Sequence, residues 1–202
     1  MTVVVWPLIL GPESSPDTAS SVTSRAAHLL AKQGVYLAFW TAESLAMCLL
    51  AASAFVIAFR GPPSFGPPLG WSLLGVGSLA NVGMYPFVMG VYFVAAAIVP
   101  NDPSPYESAK AAAFAIFNIA NAVAFLGLGM ILASFVGSTY RLLPAWLGGL
   151  GSLACFTVVV SATYGLLTST DMMIFMGPGV VLGYLLVGVI GFRITQTPNL
   201  KA

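Results

Sequence analysis

The carboxyl group of Glu43 is the side chain best placed for chemistry, because it lies inside a long apolar stretch, residues 34–59. In a helix it stands about 14 Å from the start of that stretch, close to the middle of a membrane. A charged carboxylate at that depth costs about 3 kcal/mol or more, so Glu43 must be protonated, paired or hydrated. No lysine, arginine or histidine lies within the apolar stretches to pair with it. Glu43 is therefore a candidate for moving a proton or an ion.

Uncharged polar side chains occupy the middle of the other apolar stretches, among them Asn81, Asn118, Asn121 and Tyr184. Asn118 and Asn121 are three residues apart, so they share one face of a helix. Together with Glu43 these groups can line a pathway for a proton or a small solute. The alternative is that they hydrogen-bond between helices and fix the packing. We favour packing, because a single ionisable group cannot form the relay that pumps use.

The sequence carries no constellation that is typical of an enzyme. Cys48 and Cys155 both fall within apolar stretches, and His28 has no companion ligand nearby. These residues indicate neither a zinc site nor a Cys-His nucleophile. Residues 75–77, Gly-Val-Gly, lack the third glycine or the lysine of a phosphate-binding loop. We therefore expect no catalytic residues, no metal and no enzymatic activity, and the sequence does not indicate a cofactor.

The composition excludes two large classes of protein. Hydrophobic residues make up 58% of the 202 residues and charged residues only 6%, whereas a soluble domain has about 25% charged residues. This chain cannot cover the surface of an ordinary soluble enzyme. A net charge of +1 gives no basic surface for nucleic acid. The composition therefore predicts an integral membrane protein, with the lipid bilayer as its surroundings and no nucleic-acid partner.

Five apolar runs are each long enough to cross a membrane, which takes about 20 helical residues. They are continuous rather than alternating, so they predict helices and not barrel strands. Glu43 is the one charged residue inside them. The sequence therefore predicts an all-α integral membrane helical bundle with five transmembrane helices. The predicted spans are residues 34–59, 69–99, 111–136, 142–167 and 172–192.

The remaining segments are short. Residues 1–33 form an N-terminal tail, in which residues 18–32 predict a helix that lies in the headgroup plane. Residues 34–192 form the bundle, and residues 193–202 form a C-terminal tail. The links between spans are brief and rich in proline, so consecutive helices should be antiparallel neighbours.

Pro86 lies well inside the second run, which is longer than one straight span requires. Proline removes a backbone donor and clashes with the preceding turn, so a kink is expected at residues 84–86. A broken helix at that depth can mark a binding site in a transporter. A packed kink that neighbouring helices satisfy is the more common explanation.

Gly179 and Gly183 have the GxxxG spacing of closely packed helices in the fifth run. They can face a neighbour in the same bundle or a second copy of the chain, and the sequence leaves both alternatives open.

Charges near the span ends give a weak orientation signal. Arg60, Arg141, Arg193 and Lys201 fall on one side of a five-span topology, opposite Arg25, Lys32 and Lys110. Because cytoplasmic loops carry more lysine and arginine, we expect a multi-pass protein of the cell membrane with a cytoplasmic C-terminus.

Residues 140–151, Tyr-Arg-Leu-Leu-Pro-Ala-Trp-Leu-Gly-Gly-Leu-Gly, join a short basic turn to a Leu-Pro-x-Trp-Leu-Gly start of the next span. In this pattern the C-terminal half resembles an uncharacterised bacterial family of multi-pass membrane proteins, the domain of unknown function 4386. The resemblance implies a helical bundle with no established activity, and it assigns a role to no residue.

Two functional hypotheses follow from these features. The first is a non-catalytic integral membrane protein, an accessory or assembly subunit that packs against other membrane subunits or against itself. The alternative is a small transporter or channel-like protein that uses Glu43 and the mid-membrane asparagines. A membrane-embedded lipid enzyme ranks last, because paired acid-base residues and metal ligands are missing from the sequence.

Overall fold

The computed structural model describes residues 21–138, 142–170 and 172–196, and these are helical with no strand among them. The predicted all-α bundle is confirmed. Several predictions concern residues outside the described ranges: the tail before residue 21, the charges of Arg141 and Lys201, the start of the 140–151 pattern, and the tail beyond residue 196.

Five helical spans in the described residues are long and apolar enough to cross a membrane. The second span consists of two α-helices joined by a π-helical turn, Val88–Tyr92, and it runs without a break from Pro68 to Ile98. A short helix precedes the first span. The helices are α1 Val22–Ala31, α2 Gln33–Arg60, α3 Pro68–Phe87, α4 Phe93–Ile98, α5 Ser104–Gly137, α6 Ala145–Thr168 and α7 Met173–Thr195. The spans are α2, then α3 with α4, then α5, α6 and α7.

The third span begins at Ser104, well before the predicted start at residue 111. The proline-rich link misled the prediction, because Pro105 lies in the first turn of α5. Proline is tolerated there, since the first amide groups of a helix have no intrahelical partner. Glu107 and Lys110 consequently belong to α5 rather than to a loop.

Two other boundaries differ from the predicted positions by a few residues. The fourth span begins at Ala145 rather than at residue 142, because Pro144 is extended (ψ 143°) and precedes the helix, and a proline disfavours helical geometry in the residue before it. The fifth span continues to Thr195, so residues 193–195 belong to α7 and not to the tail. Arg193 suits this last turn, because a cation interacts favourably with the helix C-terminus.

A wide helical turn follows Pro86 in the second span. The α-helical pattern continues through Pro86 to Phe87, and the wide turn Val88–Tyr92 follows it. The kink expected at residues 84–86 stays a prediction. Such π-helical turns are rare in proteins overall, and many of those that occur are found at functional sites.

Consecutive spans pack against each other, as their short links predict. The third span, α5, lies in the middle and contacts both α3 and α6. In its most apolar stretch 56% of the residues are buried, against 17% in the first span. The bundle is therefore built around α5, and α2 is its least covered helix.

The short helix α1 packs against α4 at the end of the second span. Ala26 and Leu29 are buried there, and Ser21 caps the helix by accepting the Ser24 N–H at 3.2 Å. The Arg25 guanidinium bonds the Glu107 carboxylate at 2.8 Å and ties α1 to α5. Two apolar residues of α1, Ala26 and Leu29, are thus covered by protein, and the predicted position of this helix in the headgroup plane stays a prediction.

The two glycines of the fifth span face the interior of the bundle. A Cβ added at Gly179 would lie 2.6 Å from the Ala154 carbonyl oxygen in α6. A Cβ added at Gly183 would lie 2.6 Å from the Phe125 ring in α5. Gly179 and Gly183 therefore pack against neighbouring helices of the same bundle, which is one of the two alternatives that the sequence left open.

Asp102 gives the start of α5 a pH dependence. Its carboxylate accepts the Ser104 N–H at 2.9 Å, and this bond lowers the pKa of Asp102 because it favours the charged form. A lowered folded pKa stabilises the fold above the ordinary carboxyl pKa of about 4, and this stabilisation is lost as the pH falls through the lowered value. We expect amide exchange in the first turn of α5 to accelerate over that window in the wild type and to depend less on pH in Asp102→Ala, after correction for intrinsic exchange.

The matched control is Asp102→Asn, which keeps an acceptor oxygen but does not titrate in this range. If Asp102→Ala retained the wild-type acid dependence, another group would control this turn.

Candidate intramembrane polar site

Glu43 meets a tyrosine from the second span. Tyr85, in α3, interacts electrostatically with the Glu43 carboxyl group and is only 3% exposed. Glu43 itself is half-buried on α2. The sequence offers Glu43 no lysine, arginine or histidine within the apolar stretches. In the structure the phenol group of Tyr85 interacts with it instead. Sequence reasoning missed this role, although Tyr85 immediately precedes Pro86.

Tyr184 brings the fifth span to the same place. Its hydroxyl donates to the Met47 sulfur at 3.7 Å, one helical turn beyond Glu43, and interacts electrostatically with the Glu43 carboxyl group. The Tyr184 ring meets Phe125 of α5 edge to face, with centroids 5.4 Å apart. Four spans therefore contribute to the surroundings of one carboxyl group. We call Glu43, Asn81, Tyr85 and Tyr184 the polar site.

Asn81 lies one turn before Tyr85 on the same face of α3. The side chain is 2% exposed, and its Oδ1 atom accepts no hydrogen bond from any described residue. A buried acceptor left unsatisfied costs about 1–3 kcal/mol. The contacts of Asn81 therefore do not explain why a polar residue occupies this buried position.

Asn118 and Asn121 are both buried, but their amide groups are used within their own helix. Asn118 donates to the Phe114 carbonyl and Asn121 to the Phe117 carbonyl, each at 2.8 Å. Neither donation links two helices, so these amides do not supply the cross-helix bonds that the sequence suggested. Among the described residues, Ser152 does form a hydrogen bond between two helices. Its hydroxyl, on α6, donates to the Gly129 carbonyl of α5 at 3.0 Å.

The polar site lies where two apolar clusters of the bundle meet. One cluster is centred on Leu128 and its neighbours, and the other contains Trp40, Met47 and Phe93. Tyr184 packs against both clusters. The site is therefore surrounded by apolar side chains, where electrostatic interactions are stronger than in water.

A second polar group ties the irregular turn of the second span to the start of α5. The Tyr92 hydroxyl donates to the Tyr106 hydroxyl at 3.0 Å, and the two rings stack with centroids 4.7 Å apart. The nearby Arg25–Glu107 ion pair attaches α1 to the same region. These contacts hold the wide turn Val88–Tyr92 in place just beyond Tyr85.

The chemistry of the site rests on oxygen atoms. It offers one carboxyl group, two phenols and one amide, which can hold a proton or a hard cation. Within the described ranges, no three His, Cys, Asp or Glu side chains are grouped so that they could hold a metal ion. Cys48 and Cys155 are free thiols, the first exposed and the second buried.

No protein-family model, curated protein or solved structure matches this chain. The resemblance carried by residues 140–151 therefore stays a prediction.

Proposed function

We propose that this chain is a non-catalytic integral membrane protein, an accessory or assembly subunit whose first span packs against a transmembrane helix of another membrane protein. The low coverage of α2 supports the proposal most directly. Only 17% of its most apolar stretch is buried within the bundle, although this span contributes Glu43 to the polar site.

The uncovered face of α2 is suited to close helix packing. Ala38, Ala42 and Ala46 are exposed and follow each other at intervals of one helical turn. Small residues allow helix backbones to approach closely, and they are enriched where transmembrane helices meet. Leu45 and Leu49 are exposed beside them and supply larger apolar surface. We call Ala38, Ala42, Leu45, Ala46 and Leu49 the α2 face.

The proposal includes a location in the cell membrane with the C-terminus in the cytoplasm. Arg60 ends α2 and Arg193 lies in the last turn of α7, which are the same side of a five-span bundle. The preference of lysine and arginine for the cytoplasmic side supports this orientation.

A small transporter or channel-like protein is the second candidate function. It is favoured by one specific observation, the unsatisfied oxygen of the buried Asn81, which lies one helical turn before Tyr85. A solute or ion passing this point would find acceptor oxygens at a depth where lipid offers none.

Photo-crosslinking from the α2 face tests the subunit proposal. A benzophenone amino acid at Ala42 should give a discrete protein adduct in native membranes, whereas the same probe at Val160, 67% exposed on α6, should give none. The mass of the adduct distinguishes another protein from a second copy of this chain. Equal protein adducts at both positions, or none at Ala42, would contradict the proposed interface.

A further inference from the structure

The second and third spans extend beyond the end of α6, on the side of the bundle where α5 begins. Gly165, in the last turn of α6, lies beside the middle of α5, because a Cβ added there would lie 3.6 Å from Asn118 Oδ1. From Ser104 to Asn118, α5 runs for about 21 Å. The second span follows α5 over this distance, since the Tyr92 hydroxyl bonds the Tyr106 hydroxyl at 3.0 Å. We call α4 and the first half of α5 the projecting end.

Two exposed aromatic residues of α6 indicate the level of the membrane. Trp146 is 70% exposed near the start of the helix, and Tyr164 is 53% exposed near its end. They are about 27 Å apart along the helix, close to the thickness of a hydrocarbon core. Tryptophan and tyrosine are enriched at the two membrane interfaces. Because Tyr164 is next to Gly165, one interface falls near the level of Asn118, and the projecting end lies outside the hydrocarbon core.

The projecting end carries exposed apolar side chains. Val94 and Ile98 are one helical turn apart in α4 and are 65% and 41% exposed. Val91, 43% exposed, lies just before them in the wide turn. We call Val91, Val94 and Ile98 the α4 ridge. Outside the hydrocarbon core, side chains of this kind are stabilised when another apolar surface covers them.

The start of α1 lies beside the α4 ridge. Arg25, in the first turn of α1, bonds Glu107 at 2.8 Å. Glu107 follows Tyr106, whose hydroxyl is bonded to Tyr92 at the end of the wide turn. Helix α1 itself packs against α4. The chain that leads into Ser21 therefore approaches the bundle next to the ridge.

That part of the chain contains an apolar segment. Residues 3–10 read Val-Val-Val-Trp-Pro-Leu-Ile-Leu, without a charged side chain, and they lie outside the described ranges. Eight residues are too few to cross a membrane as a helix. The ten residues that follow can bridge up to about 33 Å, which is enough to bring residues 3–10 to the ridge from Ser21.

We propose that residues 3–10 of this chain bind the α4 ridge outside the bilayer. Each surface then covers the other, and Trp6 supplies the largest apolar side chain of the segment. The contact involves α4 and not the α2 face, so it is independent of the proposed subunit role.

Photo-crosslinking within the purified full-length chain tests this contact. A benzophenone amino acid replaces Val94, and equal amounts of ¹⁵N-labelled and unlabelled protein are reconstituted together into phosphatidylcholine bilayers. Peptide mass spectrometry should find adducts with residues 3–10, and both peptides of an adduct should carry the same label. The probe at Val76, 51% exposed in α3 of the same span, is the matched control and should give no such adduct.

Two substitutions in the N-terminal residues sharpen the test. Leu8→Asp should lower the yield of the Val94 adduct by about tenfold or more, because a charge is strongly disfavoured against apolar side chains. Ser15→Asp adds the same charge outside the apolar segment and should leave the yield unchanged. Both positions lie far along the chain from the spans, so neither change removes a contact of the bundle.

Four results would overturn the proposal. Adducts between labelled and unlabelled chains would show that a second copy covers the ridge. Adducts with lipid alone would place the ridge inside the bilayer. The absence of any adduct with residues 3–10, or equal yields in Leu8→Asp and Ser15→Asp, would show that the apolar segment does not bind there.

Discussion

Gly77→Ala is expected to destabilise the bundle by roughly 1–3 kcal/mol, the usual cost of inserting a methyl group into a close-packed interior. A Cβ at Gly77 would meet the backbone of α5, at the Ala124 nitrogen and at 2.6 Å from the Ala120 carbonyl oxygen. Backbone atoms cannot move aside as a flexible side chain can. Helices α3 and α5 would have to separate, and α5 is the helix around which the bundle is built.

Gly83→Ala is the matched control on the same helix. Gly83 is exposed, and a Cβ there would have no atom within 4 Å. Because alanine favours a helix over glycine by about 1 kcal/mol, this variant should be neutral or slightly more stable. Reversible unfolding in mixed micelles measures both variants. Equal stabilities would show that the close approach of α3 and α5 does not limit the packing.

Trp71→Ala is expected to cost about 3–5 kcal/mol, the range for truncating a buried tryptophan. Trp71 is 3% exposed at the start of α3, and its indole N–H donates to the Phe65 carbonyl at 2.9 Å. The substitution would leave a cavity beside Leu74 and α5, and it would leave the buried Phe65 carbonyl without this donor. The link between the first two spans would lose its anchor.

Trp146→Ala provides the comparison, because Trp146 is 70% exposed on α6. Its removal should change the unfolding free energy by less than about 0.5 kcal/mol, as is usual for exposed positions. The two variants are compared by the same unfolding measurement. A similar loss in both would mean that the indole ring itself, rather than its buried bond and packing, determines the effect.

The sequence was sufficient to predict the spans because charged residues are so rare in this chain. Apart from Glu43, the charged residues lie outside the predicted apolar runs, and these runs correspond to the five spans. Boundaries were less certain where proline was read as a stop signal. Pro105 lies inside the first turn of α5, whereas Pro144 precedes α6. The two prolines differ in their place relative to the helix, and this difference is seen in the backbone and not in the residue type.

The candidate site was predictable only in part. Glu43 stands out because of the cost of a carboxylate among apolar residues. Its partner Tyr85 did not, because that contact depends on how far α2 and α3 slide along each other. This register comes from side-chain packing, such as the contact of the Phe55 ring with Gly75, and no pattern within one helix reveals it. The unsatisfied state of Asn81 likewise became visible only once its surroundings were known.

The central claim is that the α2 face binds another membrane protein, and the native mass of the chain after mild detergent extraction tests it most directly. We expect a complex heavier than a single chain. Replacing Ala42 and Ala46 together with leucine should dissociate it, whereas Ala133→Leu, at an exposed position of α5, should leave it intact. A wild-type chain that migrates at the mass of one copy, or a complex that persists when the α2 face is altered, would contradict the proposal.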